Sequence, residues 1–399
     1  MRSLTDYIRG MNVNKVAVIT SLYPPFPEGV QQLWGGTEVD LEYLVKHLRQ
    51  FRIAASVISF HYIKPLEDDD ESVERIGFYY PYLLGESYRS TVSFAYKELF
   101  RPGIFLKLLN LLRKEKPDIV LIGKTYQFSL ATYLACILLG IAYVVRYDWL
   151  CPTYPKDEPC SFSDRFRCAD CVEKTSGMRI PMIAKIAASF YFVPLFQLKR
   201  ILWNRSQKVL VTSDFYKTFV ESFGVKSDKI EIIPPKSELK ADIGVVKELE
   251  RRYKSDGKLI LLYVGRLEPE KGVELLLDAS ENLKEEKIKL LIAGTGRLVQ
   301  LVKDAIKKNG RIVYLGLVPH GDLGSYYAIA DLVVIPSVVP ESGALVVEEA
   351  ISMEKPVIGF KQGATKQVLG SYGKGILVDE INAIALSTAI KGFLKGREI

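Results

Sequence analysis

Short runs of β-branched and aliphatic residues alternate with amphipathic helical patterns twice along this chain. In the first series, strands are predicted at residues 15–20, 53–60, 118–122, 142–146, 208–212 and 229–233. In the second series, they are predicted at residues 259–264, 288–293, 312–315, 332–335, 356–360 and 376–378. Such alternation is typical of parallel sheets that are covered by helices. The sequence therefore predicts an α/β fold with two doubly wound domains in tandem.

The length of the chain, 399 residues, also favours more than one domain, because a single core stops growing at about 250–300 residues. The charged, poorly hydrophobic stretch at 235–257 is interpreted as the linker. We expect a first domain at 1–235 with an insertion at about 151–205, and a second domain at 236–399 whose last helix would pack back on the first. Helical patterns are placed at 37–50, 272–281, 298–308, 321–329 and 343–353.

The charge balance and the apolar runs exclude two classes of protein. There are 54 Lys and Arg residues against 47 Asp and Glu, a net charge of +7, which is too small an excess to indicate a nucleic-acid partner. No apolar run reaches the roughly 18 residues of a membrane-spanning helix, and the first is too short for a signal peptide. We expect a cytoplasmic protein, with the inner face of the membrane as an alternative location.

Two cations stand in the loop that follows the first predicted strand of the second domain. Open parallel sheets bind ligands beyond the carboxyl ends of their strands, so these loops are where a site is expected. Arg266 and Lys271 bracket the start of the next helix. Cations beside a helix N-terminus form an anion site through charge and helix dipole together. A solvated Arg and Lys on an exposed turn explain the same pattern equally well.

Glycines stand in two other loops of this kind. Gly294 and Gly296 follow a strand and precede a helix, which is half of a dinucleotide-binding fingerprint. In the first domain, Gly35 and Gly36 precede the helix predicted at 37–50, where backbone N–H groups could approach an anion. A backbone requirement for glycine in a turn accounts for either pair without any ligand.

A pair of carboxylates follows the predicted strand at 332–335. Glu341 would lie in the loop or at the helix cap, and Glu349 inside the next helix. From these positions both could converge on one cleft, where carboxylates accept hydrogen bonds from the vicinal hydroxyls of a sugar or a ribose. The alternative is a solvated helix whose N-terminus Glu341 stabilises.

Together these segments resemble glycosyltransferase family 4, whose members have the GT-B fold: two facing Rossmann-like domains with an interdomain cleft that holds the active site. The order and spacing of the shared motifs span most of the chain. The motifs are Gly35-Gly36, Lys116-Pro-Asp118, Val264-Gly-Arg266, Glu270-Lys-Gly272, Gly294-Thr-Gly296, Tyr314-Leu-Gly316, the stretch from Ala330 to Ser337, Glu341-x7-Glu349-Ala350 and Lys355-Pro-Val357.

The resemblance implies roles for individual residues. Arg266 and Lys271 would hold the diphosphate of a nucleotide-sugar donor and stabilise the leaving group. Glu341 would contact the transferred sugar, and Glu349 the ribose. The resemblance also implies that the reaction retains the anomeric configuration of the sugar and uses no catalytic metal. Further donor contacts would come from Gly35, Gly36, Gly294, Gly296, Gly343, Ala344 and Leu345.

One departure from the family pattern bears on the acceptor side. The family often has His-Asp after the strand predicted at 142–146, whereas this chain has Tyr147-Asp148, where we expect sugar or acceptor contacts. The expected function is a hexosyltransferase that builds a glycan or glycolipid from a UDP-, GDP- or ADP-linked sugar. The alternatives are a silent sugar-nucleotide-binding partner subunit, for which Tyr147 and Lys366 are evidence, and a GT-B sugar-nucleotide epimerase.

Four cysteines lie in the predicted insertion with the spacing C-x8-C-x7-C-x2-C: Cys151, Cys160, Cys168 and Cys171. The last pair has metal-ligand spacing, which favours a structural zinc site. A disulfide pair or free thiols are the other interpretations.

An aromatic and aliphatic stretch follows the cysteines at 178–205, with Lys185, Lys199, Arg200 and Arg205 in it. Such a segment could lie in a membrane interface and bring the enzyme to a lipid-linked acceptor. The alternative is a helix buried on the first domain's sheet.

Overall fold

The computed structural model describes residues 3–20, 36–61, 73–77, 102–123, 130–146, 181–254, 257–341, 343 and 345–396. The chain divides into two compact units, Met1–Pro234 and Pro235–Ile399. The division lies one residue from the boundary expected from the sequence.

The first unit contains a seven-stranded sheet whose described neighbours all pair in parallel, in the order β3-β2-β1-β4-β5-β6-β7. Its strands are β1 (Lys15–Ile19), β2 (Ala54–His61), β3 (Val73–Gly77), β4 (Ile119–Ile122), β5 (Ala142–Val145), β6 (Val209–Val211) and β7 (Ile230–Ile232). Its helices are α1 (Leu4–Arg9), α2 (Gly36–Gln50), α3 (Pro102–Glu115), α4 (Ala131–Leu139), α5 (Met182–Arg205) and α6 (Asp214–Ser222).

Two apolar cores cover the two faces of this sheet. Because side chains alternate along a strand, Ala17 and Ile19 of β1 enter one core, and Val16 and Val18 enter the other. The first core includes residues of α3, α4, α5 and α6, and the second those of α1 and α2. A sheet covered by helices on both faces is the doubly wound arrangement that the alternating sequence pattern predicts.

The second unit repeats this design with six parallel strands in the order β10-β9-β8-β11-β12-β13. They are β8 (Leu259–Val264), β9 (Ile288–Ala293), β10 (Ile312–Gly316), β11 (Leu332–Ile335), β12 (Val357–Phe360) and β13 (Gly375–Val378). The helices are α7 (Ile243–Tyr253), α8 (Val273–Asn282), α9 (Val299–Lys308), α10 (His320–Ile329), α11 (Leu345–Ser352), α12 (Gly363–Gly370) and α13 (Ala383–Lys395).

The last helix packs within its own unit. Leu386, Ile390 and Leu394 of α13 join a core that also contains residues of α8 and β8. This packing uses the apolar face of α13, whose residues recur at helical spacing. Contact of this helix with the first domain remains a prediction.

The stretch interpreted as a linker contains a helix, and that interpretation is wrong for residues 243–253. The side chain of Asp242 caps α7 by accepting a hydrogen bond from the backbone N–H of Val245 at 3.0 Å. Leu249 and Tyr253, four residues apart, are buried in the core of the second unit. Val246 joins these two residues at helical spacing, but the charged composition around them favours the linker interpretation.

Among the helices that the structure describes, none combines the length and apolar character needed to cross a bilayer.

Candidate active site

The second unit has a topological switch point beside β8. This strand pairs with β9 on one side and with β11 on the other. The chain adds β9 and β10 on the first side of β8 and then β11, β12 and β13 on the opposite side. Ligands of open α/β sheets bind outside the carboxyl ends of the strands at such a point. The loops after β8, β9 and β11 meet there, and they carry most of the site residues predicted for this unit.

A buried tyrosine at the end of β8 stabilises the turn that follows this strand. The hydroxyl of Tyr263 donates a hydrogen bond to the carbonyl oxygen of Arg266 at 2.7 Å. Burial, reinforced by the nearby carboxylate of Glu341, raises the pKa of Tyr263 far above its usual value, so this hydroxyl stays protonated and remains a donor. The backbone N–H of Leu267 then donates to Thr295 at 2.9 Å, which ties the turn to the loop after β9.

Arg266 lies in a small network of charges. Its guanidinium donates to the carboxylate of Glu270 at 3.2 Å, and the side chain is 40% exposed. The guanidinium of Arg297 binds Glu268 and approaches the other oxygen of Glu270 at 3.9 Å. The carboxylate of Glu270 therefore positions the exposed guanidinium of Arg266 and also lies close to that of Arg297.

Lys271 and Glu341 form an ion pair between the loops after β8 and β11. The Nζ atom of Lys271 lies 2.9 Å from Oε1 of Glu341, and the hydroxyl of Ser337 donates to the same oxygen. Burial opposes ionisation of this carboxyl, but Lys271, Ser337 and Arg266 outweigh it and hold the pKa of Glu341 below its usual value. Glu341 is therefore a carboxylate at neutral pH.

Two glycines let these loops approach each other closely. Gly272 has φ +67°, and a Cβ atom there would lie 1.8 Å from the carbonyl oxygen of Pro336. Gly363 has φ +50°, and a Cβ atom there would lie 2.6 Å from the backbone nitrogen of Glu341. The neighbouring N–H of Ala364 donates to the carbonyl of Glu341 at 2.9 Å. Glu341 is thus placed by its backbone as well as by its carboxylate.

Gly294 and Gly296 have an explanation in the packing of the backbone. They have φ +139° and +156°, and Cβ atoms there would lie 1.8 Å from the carbonyl oxygen of Gly265 and 2.5 Å from that of Leu267. The close approach of the loops after β8 and β9 therefore requires glycine at both positions. Their contact with a donor stays a prediction.

Glu349 is the centre of a separate buried network on α11. Its Oε1 atom accepts hydrogen bonds from Nε2 of His320 at 2.8 Å and from the hydroxyl of Ser237 at 3.0 Å. Its Oε2 atom accepts one from the hydroxyl of Tyr327 at 3.0 Å. Burial, together with the charge of Glu349, raises the pKa of Tyr327 well above its usual value, which keeps this hydroxyl a donor.

No motif in the sequence indicates that Ser237, His320 and Tyr327 bind this carboxylate. His320 and Tyr327 are seven residues apart on α10, two helical turns, so they share a face of that helix. Such spacing is also typical of a core helix. Ser237 belongs to the stretch interpreted as a linker.

The structure brings Lys271 and Glu341 into contact, and the charge of Arg266 acts on the same carboxylate. Glu349 lies on α11, which begins at Leu345, two residues later than the helix predicted from Gly343. In the first unit, Gly36 is the first residue of α2. Gly35, Tyr147, Asp148, Ala344 and the cysteines at 151, 160, 168 and 171 lie outside the described residues.

A buried ion pair holds the start of α2 over the carboxyl ends of the strands in the first unit. The guanidinium of Arg146, directly after β5, lies 3.1 Å from the carboxylate of Asp40 on α2. It also donates to the carbonyl oxygens of Val211 and Ile233, at the ends of β6 and β7. One side chain therefore joins four elements at the edge of the sheet where ligands bind in such folds.

The helix α5 presents large apolar side chains to solvent. Met182, Ile183, Ile186, Phe190 and Ile201 are all more than half exposed, with Ile183 at 83% and Phe190 at 79%. Other residues of the same helix, including Leu202 and Trp203, enter the core of the first unit. The helix thus contributes to the core and also presents an exposed apolar surface.

The fold is the GT-B fold of glycosyltransferases, with two Rossmann-like units. The structure resembles HepE from Anabaena, solved with UDP-glucose, with a TM-score of 0.65 and 18% identity over 96% of this chain and 90% of that one. It resembles sucrose-phosphate synthase from Thermosynechococcus elongatus with a TM-score of 0.66, 18% identity and the same coverages. The profile described as Glycosyltransferase Family 4 matches residues 34–235, half of the chain, and that of Glycosyl transferases group 1 matches 246–399. The chain belongs to glycosyltransferase family 4.

Curated relatives match over part of their length. An alpha-D-kanosaminyltransferase of Streptomyces kanamyceticus is 29% identical over 157 residues, 38% of this chain and 40% of the relative. A lipopolysaccharide 1,2-N-acetylglucosaminetransferase of Salmonella typhimurium is 28% identical over 187 residues, 41% of this chain and 46% of the relative. The chain thus spans less than half the length of these two relatives.

Proposed function

We propose that this protein is a retaining glycosyltransferase that moves a hexose from a nucleotide-sugar donor to a glycan or lipid-linked acceptor without a catalytic metal. The observation that carries the proposal is the Lys271–Glu341 pair, with Arg266 beside it, at the switch point of the second unit. A cation pair next to a fixed carboxylate suits a ligand that joins a diphosphate to a polyhydroxyl ring.

Arg266 and Lys271 bind the donor diphosphate. Each charge-assisted hydrogen bond contributes about 1.5–3 kcal/mol, so two hold the anion by several kcal/mol. Both cations are paired with carboxylates, Glu270 and Glu341, so a diphosphate competes with these carboxylates for them. HepE of Anabaena was solved with UDP and with UDP-glucose, which supports a nucleotide-sugar as the donor class.

Glu341 and Glu349 recognise hydroxyl groups of the donor. The lowered pKa of Glu341 keeps it an acceptor for hydroxyls of the transferred sugar. Glu349 accepts from the ribose. Gly294, Gly296, Gly343, Ala344 and Leu345 border the donor, Gly35 and Gly36 approach its diphosphate, and Tyr147 and Asp148 contact the sugar or the acceptor.

In the proposed reaction, the bond between C1 of the sugar and the diphosphate oxygen breaks, and a bond from the acceptor oxygen to C1 forms on the same face. The proton of the acceptor hydroxyl passes to an oxygen of the leaving diphosphate. Negative charge develops on that diphosphate, and the cations of Arg266 and Lys271 stabilise it. The chemistry needs no metal because these side chains provide the positive charge.

The exposed apolar face of α5 contacts the inner surface of a membrane and brings the enzyme to a lipid-linked acceptor. Exposed Ile183 and Phe190 can enter the interfacial region of a bilayer. Lys199, expected among the flanking cations, is buried, so the contact rests on apolar side chains and on Arg200 and Arg205.

We also propose that the four cysteines of the insertion, Cys151, Cys160, Cys168 and Cys171, hold a structural zinc ion. The C-x2-C spacing of the last two supports this proposal.

The test is to incubate the purified chain with a panel of UDP-, GDP- and ADP-sugars and to measure thermal shifts and nucleoside diphosphate release. Binding of one donor is expected, together with transfer to a supplied acceptor. NMR of the product reports the anomeric configuration, and transfer in EDTA reports on metal. Binding of none of the donors would overturn the proposal, and binding without transfer would favour the silent partner subunit.

A further inference from the structure

A short segment connects the boundary between the two units to α7. This connector, residues 235–242, lies against α10 and α11 of the second unit. The backbone N–H of Asp242 donates to the hydroxyl of Ser325 at 3.0 Å, and a Cβ atom on Gly324 would lie 2.2 Å from the carbonyl oxygen of Lys240. At its other end, the hydroxyl of Ser237 donates to Glu349 at 3.0 Å. The connector thus contacts, near its first residue, the carboxylate of Glu349 that is proposed to bind the ribose.

The carboxylate of Glu349 has few acceptor positions left. Each carboxylate oxygen accepts about two hydrogen bonds. Oε1 already accepts two, from Ser237 and His320, whereas Oε2 accepts one, from Tyr327. A single hydroxyl of a ligand can bind at Oε2 with all three partners in place. A vicinal diol that binds both oxygens must displace a partner from Oε1.

Burial and backbone structure together identify Ser237 as the partner that leaves. The side chain of Glu349 is only 2% exposed, so a ligand reaches it only where a covering group moves. Tyr327 is fully buried in the core. The side chain of His320 is 21% exposed, but its backbone is held in the first turn of α10. Ser237 lies instead on an irregular segment and is half-buried. Its hydroxyl makes the same contact with Glu349 that a ribose hydroxyl would make.

We infer that Ser237 competes with the ribose diol of the donor for Glu349, so that donor binding releases the connector between the two units from the donor site. The inference rests on the proposed function. It adds a mechanism by which donor binding at Glu349 changes the contacts of the connector, residues 235–242. Ser237 is a positioning residue in this mechanism, because it acts through Glu349 and does not itself contact the donor.

The test compares wild type with Ser237→Ala in calorimetric binding of UDP, GDP or ADP, whichever binds best, and of its 2′-deoxy and 3′-deoxy forms. Loss of the competing hydroxyl is expected to lower the Kd of the ribonucleotide by at least about threefold. With either deoxy form, the two proteins are expected to bind equally, because one hydroxyl fits at Oε2 beside Ser237. Hydrogen exchange of residues 235–242 in wild type is expected to rise with the ribonucleotide and to stay unchanged with the deoxy forms.

The matched control is Ser325→Ala, which removes the hydroxyl that accepts from the backbone of Asp242 and leaves the three hydrogen bonds of Glu349 in place. Its Kd is expected to equal that of wild type. If wild type binds a diphosphate and Ser237→Ala binds it equally or more weakly, the inference is wrong and the proposed function stands. If neither protein binds any diphosphate, the proposed function and this inference are both overturned.

Discussion

The Nζ atom of Lys271 lies 2.9 Å from Oε1 of Glu341, although 70 positions separate the two residues along the chain. Lys271 ends the turn after β8, and Glu341 lies in the loop after the neighbouring strand β11. The pair joins the two sides of the switch point, where a ligand of this fold binds. A donor that takes Lys271 for its diphosphate and Glu341 for its sugar must therefore replace this contact with two others.

Replacing each member of the pair is expected to give different results. Lys271→Ala removes a cation, so we expect both a nucleoside diphosphate and its sugar conjugate to bind at least about tenfold more weakly. Glu341→Gln frees Lys271, so the diphosphate alone should bind as well as to wild type, while sugar transfer falls. Calorimetry and a transfer assay measure the two effects. Equal loss of diphosphate binding in both variants would contradict the assigned roles.

The Lys271–Glu341 pair is expected to lose its contribution to stability only in acid. Burial opposes the charge of Glu341, but Lys271, Ser337 and Arg266 lower its pKa below the ordinary 4.5. A lowered folded pKa stabilises the protein fully above the unfolded value and loses that effect as pH falls through the folded value. The Tm difference between wild type and Glu341→Gln should therefore stay constant from pH 8 to about 5 and shrink below about 4. A difference that shrinks near neutral pH would be inconsistent with this.

Gly272→Ala is expected to destabilise the second unit by at least about 2 kcal/mol. A side chain at positive φ costs about 1–2 kcal/mol, and its Cβ atom would also overlap the carbonyl oxygen of Pro336. The control is Gly392→Ala on α13, where no atom lies within 4 Å and a stabilisation of about 0.5–1 kcal/mol is expected. Urea unfolding measures both, and similar effects at the two positions would refute the proposed contact between the loops.

Arg146→Met is expected to destabilise the first unit by about 3–5 kcal/mol. Both Arg146 and Asp40 are buried, and removal of one partner leaves the other charge in a poorly solvated place. Arg113→Met, an exposed cation on α3, should change stability by less than about 0.5 kcal/mol. Chemical denaturation gives both values. Equal stability of the two variants would show that the pair does not hold these elements together.

The apolar face of α5 is expected to bind lipid vesicles. The double substitution Ile183→Ser and Phe190→Ser should reduce sedimentation with phosphatidylglycerol vesicles about tenfold, because two exposed apolar side chains no longer enter the interface. Leu138→Ser, which removes an exposed apolar residue from α4, is the control and should leave binding unchanged. A wild-type protein that stays in the supernatant would exclude the proposed membrane contact.

The sheets and the cation loop were predictable because their signals are local. Parallel strands buried on both faces appear in the sequence as continuous apolar runs, and the bounds of β8, β9 and β11 are those predicted. Arg266, Lys271 and Glu341 follow such runs, and carboxyl ends of neighbouring parallel strands must meet. Their proximity therefore follows from the strand order of a doubly wound sheet.

The surroundings of Glu349 could not be predicted, since they depend on tertiary packing. Ser237 lies more than one hundred positions before it, and nothing in the sequence marks a serine in a charged stretch as its partner. The helix α7 was missed for a different reason. Val246, Leu249 and Tyr253 recur at helical spacing, but the charged composition of the stretch favoured a linker. The apolar face of α5 has no partner among the described residues, and composition alone did not separate it from a core helix.

The most direct test of the donor site is calorimetric binding of the best nucleoside diphosphate to wild type, Arg266→Ala, Lys271→Ala and Lys307→Ala. Lys307 is an exposed cation on α9 that pairs with Asp304, so its loss controls for the change in net charge. We expect at least about tenfold weaker binding by each of the first two variants and unchanged binding by the third. Wild-type affinity in both Arg266→Ala and Lys271→Ala would contradict the site described above.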